Sequence, residues 1–379
     1  MRAAALALLA AAAVDAPPDY HADAVALDAL IGANYAYAEL LPGGRPPASA
    51  ILAAEQAAVN DRATLRRYAE DRMASLADHH ANTGFSFPDS WGLVPSYADL
   101  WVESAGDYRI DAVRADSPAA RAGIVAGDRL VAVDGVPIAA AVRGFWAALG
   151  LEPTGDRAGY AARVLAAGRR DRPRQLTVAH AGVERTLTLP TLYAAPIEAP
   201  PVVVVQRGRE VAIRFGNSLG DGATIAAFDA AMARVPPRAP VLLDLTDTPS
   251  GGNTSVARAI MGWFVTRPTV YQVHNLPAEE RETGIARQWM EQVLPRPGRY
   301  HPGRVRVRVG RWTGSMGEGL AVGFDAIGAR VCGGPMAGLR GAITDFVLPV
   351  SGLRVAFPAE RLFTANGVPR ERWVPRCRA

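Results

Sequence analysis

Two stretches of this sequence put reactive groups where a strand runs out. In the first, the alternating valines of Val305-Arg306-Val307-Arg308-Val309 predict a strand, and Gly319 to Ala329 reads as a helix rich in small and apolar residues. Between them lies Gly310-Arg311-Trp312-Thr313-Gly314-Ser315-Met316-Gly317-Glu318. Ser315 falls in the turn, where its hydroxyl projects and the helix dipole favours developing negative charge. Read locally, Ser315 with Glu318 three residues on is also a capping box. The second stretch, Leu243-Asp244-Leu245-Thr246-Asp247-Thr248-Pro249-Ser250-Gly251-Gly252-Asn253, reads as a buried strand emptying into Pro-Ser-Gly-Gly. Amides there have no side chains in the way and can serve an oxyanion, each donor being worth about 2.7–4 kcal/mol in the rate step. Gly-Gly before a helix is equally common as punctuation.

A serine hydroxyl is a weak nucleophile without a group to take its proton. No lysine occurs in the chain, so all 41 basic residues are arginine, and a guanidinium stays protonated. The chain has six histidines, whose side chains can take up a proton near neutral pH. Leu76-Ala77-Asp78-His79-His80-Ala81-Asn82-Thr83-Gly84 holds two of them, and His274 is a fallback in a polar loop after the glycine-rich helix. His21, His180 and His301 have no comparable context. Imidazole, titrating near 6.5, suits proton acceptance and return, although paired histidines also occur at solvated helix ends. No His/Cys/Glu spacing matches a metal-ligand set, and no cofactor is expected.

The elements that must position these groups fall into three regions. Residues 17–95 read as a helical segment, with Leu65, Ala69, Met73 and Leu76 at helical spacing. Residues 96–193 turn to strands, as in the alternating Tyr108-Arg109-Ile110-Asp111-Ala112-Val113. Ser117 caps a short helix with Pro118 at its first position, and Asp134-Gly135 signals a hairpin. A proline-rich linker, Ala195 to Pro201, leads into residues 200–379, where strands at Val202–Val205, Val211–Ile213 and Pro240–Leu245 alternate with a helix from Gly222 to Val235. That alternation predicts an α/β domain with a mainly parallel sheet.

The run Asp116-Ser117-Pro118-Ala119-Ala120-Arg121-Ala122-Gly123-Ile124, with Gly127-Asp128-Arg129-Leu130-Val131-Ala132-Val133-Asp134-Gly135, resembles the second half of a PDZ domain. Such domains add an extended peptide as a strand and hold its carboxylate on backbone amides. The two strand-to-turn junctions resemble the serine peptidases of the C-terminal-processing and tricorn-core group, whose signatures are LDLRxNxGG and TxSxxE. This chain keeps Leu243-Asp244-Leu245 and Gly251-Gly252, with Thr246 where the family usually has arginine and one extra loop residue; Thr313, Ser315 and Glu318 are all kept. The run from Phe357-Pro358-Ala359-Glu360 to Val374-Pro375 looks like the family's closing segment.

The resemblance implies an α/β, crotonase-like (ClpP/crotonase-type) catalytic domain behind a PDZ-like, mostly-β domain and an N-terminal helical segment. It implies Ser315 as nucleophile, with an oxyanion hole from Met316 and an amide of Gly251 or Gly252. The family's lysine-base branch is excluded, because its lysine position falls in Gly338-Leu339-Arg340-Gly341. In the histidine-base branch His80 matches the base, His79 stands where a relay serine is usual, and Glu360 falls near the orienting acid. Asp78 is an alternative orienting group, and His79, Asp78 and Glu318 are expected to support the site.

The implied activity is hydrolysis of proteins or peptides, with the substrate held by its C-terminus on the PDZ-like domain. A peptide-binding protein without turnover and an esterase using the same serine are the alternatives. Hydrophobic residues make up 49% and charged residues 21%, enough apolar content to build a core. The net charge of +4 is spread without a cationic run, which argues against nucleic acid. Residues 1–16, with one arginine, a short apolar stretch and a small-residue end at Val14-Asp15-Ala16, read as a signal peptide and imply a periplasmic or secreted protein. That stretch is shorter than the roughly 20 residues a membrane span needs. Cys332 and Cys377 are left open between a disulfide and two free thiols.

Overall fold

A computed structural model describes residues 18–194 and 200–377. The expected signal peptide and the first part of the proline-rich linker lie outside the described residues. Three helices come first: α1 (Tyr20–Asn34), α2 (Ala50–Ala58) and α3 (Arg62–Ala74). Each begins on a side chain that accepts a first-turn N–H, from Asp19, Ser49 and Asp61. Their apolar faces, including Leu27, Ile31, Leu65, Ala69 and Met73, pack with Leu348, Leu353, Val355 and Phe357 from the far end of the chain. The helical segment therefore shares a core with the C-terminal region.

After the two-residue strand β1 (Asn82–Thr83) come β2 (Leu100–Ser104), β3 (Tyr108–Val113), α4 (Pro118–Arg121), β4 (Arg129–Val133), β5 (Val136–Pro137), α5 (Ile138–Ala147), α6 (Arg157–Ala167), β6 (Arg174–His180) and β7 (Val183–Leu189). The sheet runs β2-β3-β4-β6-β7, with β5 paired to β4. Ser117 Oγ accepts from Ala120 N at 3.2 Å, and the hairpin at Asp134-Gly135 takes positive φ at both residues, 49° and 76°. Helices α5 and α6 were not anticipated. Ile138, Val142 and Trp146 of α5 recur every four residues and are buried, which is the signal that would have found it.

The remainder comprises β8 (Val202–Arg207), β9 (Glu210–Phe215), α7 (Ala223–Met232), β10 (Val241–Asp244), α8 (Thr254–Met261), β11 (Thr269–Asn275), α9 (Pro277–Thr283), β12 (Gln288–Val293), β13 (Val305–Val309), α10 (Met316–Ala326), β14 (Arg330–Gly333), β15 (Ala342–Val347) and β16 (Arg354–Thr364). One sheet has the order β14-β13-β10-β9-β8 and is parallel except for the β8–β9 hairpin. The second sheet is antiparallel, β1-β16-β11-β12, with β15 also on β16. Cys332 and Cys377 form a disulfide that ties β14 to the C-terminal segment.

Two contacts bind the PDZ-like sheet to the strand-to-turn junctions. Trp312, just ahead of the serine turn, is buried in the PDZ-side core and donates from Nε1 to Ala98 O at 2.7 Å. Arg114 pairs with Asp247 of the glycine loop at 2.7 Å.

Candidate active site

Parallel neighbours β10 and β13 end side by side, so the turns that follow them meet. Gly314 N donates to Thr248 O at 3.0 Å, and a Cβ on Gly314 would stand 2.5 Å from Pro249 O. The serine turn can therefore lie flat on the glycine loop only because residue 314 has no side chain. Ser315 itself takes φ 51° and ψ −113°, a conformation L-residues rarely adopt. It is the N-cap of α10, and strain of this kind, roughly 1–3 kcal/mol, concentrates at functional positions. The helix starts at Met316, three residues earlier than expected from the sequence.

The expected capping box is present, and in it Glu318 Oε2 accepts from Ser315 N at 2.9 Å. Glu318 also accepts from Gly338 N at 2.8 Å and Leu339 N at 3.2 Å. It is fully buried, which pushes its carboxyl up to about 7 against the opposing pull of Arg370 and the three N–H donors. One side chain thus pins both the Ser315 backbone and the 338–339 strip beside it.

The histidine reaches the serine from the other end of the chain. His80 lies in the turn between α3 and β1, and its Nε2 is 3.0 Å from Ser315 Oγ across 235 residues of sequence. Its Nδ1 is 2.6 Å from Arg340 O. A carbonyl oxygen can only accept, so Nδ1 bears the proton and Nε2 presents its lone pair to the serine hydroxyl. Asp78 Oδ1 accepts from His80 N at 2.9 Å, and Tyr35 donates to Asp78 Oδ2 at 2.8 Å. Burial, then the nearby Arg370 charge, lowers the imidazole to about 4, partly offset by the Arg340 carbonyl and Asp78. At neutral pH the ring is an uncharged proton acceptor.

Gly251 and Gly252 border the same turn. A Cβ on Gly251 would lie 4.0 Å from Ser315 Oγ, and one on Gly252 would collide with Met316 Cβ at 2.5 Å. The amides of Gly251, Gly252 and Met316 donate to no group among the described residues. Unspent donors beside a nucleophile are what a developing oxyanion needs.

Two expectations require correction. Glu360 does not orient His80: its carboxylate receives His274 Nδ1 at 2.8 Å, while Glu291 lies 3.2 Å from His274 Nε2. Gly341, at φ 49°, lies so close to β16 that a Cβ would stand 1.9 Å from Glu360 O, and the Glu360 side chain meets His274 of β11. Held between two acids, His274 is drawn up to about 9 although burial opposes its charge. It is an ion-pair member and not a spare base. The support expected from His79 does not take the form of a contact with His80: it stacks on Tyr160 at 4.4 Å and accepts from Arg163 Nε at 2.9 Å.

The sequence reading missed the Arg340 main-chain carbonyl and the supporting Tyr35 and Arg370. Arg340 was noticed only as a residue that cannot be a base, and a carbonyl leaves no mark in side-chain types. Among the described residues no cluster of three metal-ligating side chains occurs.

Comparison with known proteins supplies the wider context. A family model for the PDZ domain matches residues 109–143. No curated protein sequence matches the chain. Among solved structures, the photosystem II D1 C-terminal processing protease aligns at TM-score 0.56 and 16% identity, over 95% of this chain and 93% of its own. Mature CPAF complexed with lactacystin aligns at TM-score 0.58 and 14% identity, over 95% and 93%. The chain therefore has the mixed α/β fold of the C-terminal processing proteases, with a PDZ domain within it.

Proposed function

We propose that this chain is an exported serine endopeptidase in which Ser315 is the nucleophile and His80 the general base. The observation behind this reading is the 3.0 Å contact between His80 Nε2 and Ser315 Oγ, in the one tautomer that can accept the serine proton. Ser315 Oγ attacks a peptide carbonyl while its proton passes to His80 Nε2. The oxyanion settles between the Met316 amide and that of Gly251 or Gly252. His80 returns the proton to the leaving nitrogen, and water, activated by the same ring, hydrolyses the acyl-enzyme. Throughout, the Arg340 carbonyl plays the orienting part that a carboxylate plays in the Ser-His-Asp arrangement. The PDZ domain would hold an extended segment of the substrate, by its C-terminus, beside this site.

A peptide-binding protein without turnover draws support from one observation: among the described residues no carboxylate reaches His80 Nδ1, which is met by the Arg340 carbonyl. Hydrolysis of a denatured protein substrate by wild type, Ser315→Ala, His80→Ala and His79→Ala separates the readings. Loss of roughly 10³-fold or more in the first two, and a smaller loss in the third, fits the peptidase. No hydrolysis by folded wild type fits the binding protein.

A further inference from the structure

After β16 the chain turns back, with Thr364 N on Val368 O at 2.8 Å and a bridge between Phe363 and Pro369. One short helical turn follows, Arg370–Arg372, and further on Cys377 is tied to Cys332. Arg370 therefore sits on a segment held at both ends. It is only 3% exposed, and a buried guanidinium needs acceptors. It finds them on backbone: Nη2 donates to Leu339 O at 3.0 Å and to Gly341 O at 2.7 Å. The same nitrogen lies 3.9 Å from Glu318 Oε2.

Those two carbonyls flank the one that meets His80. They belong to the peptide units just before and just after the unit that carries Arg340 O, which lies 2.6 Å from His80 Nδ1. That middle unit precedes Gly341 at φ 49°, and a peptide unit ahead of a glycine can rotate where a side chain would resist it. The Arg340 side chain, 3.3 Å from Tyr35 Oη and 2.7 Å from Asp156 Oδ2, anchors the residue but not the plane of this unit. Arg370 fixes the units on both sides of it. Glu318 holds the N–H groups of Gly338 and Leu339, so the strip is gripped through its donors by one charge and through its acceptors by the other.

We propose that Arg370 is a positioning residue that keeps the Arg340 carbonyl on His80 Nδ1, so that Nε2 remains the lone pair facing Ser315. The role rests on His80 being the base of the proposed peptidase, and Arg370 acts through the 339–341 strip.

The test is histidine-selective nitrogen-15 NMR of the purified full chain at neutral pH, with the His80 signal identified by its loss in His80→Ala. Fluorophosphonate labelling of Ser315 is the second readout. Wild-type His80 should carry its proton on Nδ1 alone. Arg370→Met, which keeps much of the volume without donor or charge, should show both tautomers and label at least about tenfold more slowly. Arg370→Lys should restore most of each. An arginine with a merely structural role would lower the melting temperature and leave the tautomer unchanged. If Arg370→Met does not fold, Arg370→Gln carries the same test, because one short amide cannot hold both carbonyls. A wild-type ring protonated on Nε2, or a folded Arg370→Met or Arg370→Gln with His80 still protonated on Nδ1 alone, would overturn the proposal. The tautomer does not depend on turnover. The expected tautomer pattern with no labelling of wild type would sink the peptidase reading and leave the hold of Arg370 on His80 standing.

Discussion

Under the proposed mechanism the surroundings of His80 give the reaction an unusual acid limb. His80 is 6% exposed and the Arg370 charge lies nearby, which lower its pKa to about 4 against the opposing pull of the Arg340 carbonyl and Asp78. At pH 5 such a base remains about 90% neutral, whereas an imidazole titrating near 6.5 would be about 3% neutral. The predicted difference in kcat/KM at pH 5 is roughly thirtyfold, and the assay is hydrolysis of an unstructured protein between pH 4 and 8. The fold must be followed in parallel. With a folded pKa below the unfolded one, the neutral ring contributes stability that is complete above about 6.5 and is lost as pH falls toward 4. Glu318 runs the other way: its raised pKa means that protonation between about 7 and 4.5 favours the folded chain. Intrinsic tryptophan fluorescence at each pH identifies the range in which rates describe intact protein. An acid limb near 6.5, with fluorescence still native, would refute the reasoning from burial and the Arg370 charge.

Two further predictions follow from the geometry. Glu360→Gln should leave hydrolysis within about tenfold of wild type, since Glu360 serves His274 and not His80. It should instead flatten the loss of stability as pH rises through about 9, because the raised His274 pKa contributes stability fully only below about 6.5; melting temperatures from pH 6 to 10 measure this. Gly252→Ala should cost about 1–3 kcal/mol and much of the activity, because its Cβ would fall 2.5 Å from Met316 Cβ and 2.9 Å from Leu219 Cβ. A variant with wild-type melting and turnover would show that the loop has room to move away from the helix.

What could be read from the sequence followed from how local each signal is. Ser315 was legible because strand, turn and helix all lie within about two dozen residues, and Ser117-Pro118 and Asp134-Gly135 were legible as a cap and a turn for the same reason. His80 is 235 residues from Ser315 and emerged only through resemblance to a family. The Glu360 assignment failed because alignment locates a residue along β16 but not the direction of its side chain, which here meets His274 of β11. The second sheet was not seen, since β1, β11 and β16 are assembled from three distant parts of the chain. Residues 200–245 alternate strand and helix, and there the parallel sheet was anticipated.

The central claim is that Ser315 is activated by His80. Fluorophosphonate labelling of purified protein, with the modified peptide located by mass spectrometry, tests it most directly. The account predicts a single adduct on Ser315 in wild type, no adduct in Ser315→Ala, and labelling slowed by roughly 10³-fold in folded His80→Ala. Labelling of Ser315 at an undiminished rate in His80→Ala, or no labelling of folded wild type, would contradict it.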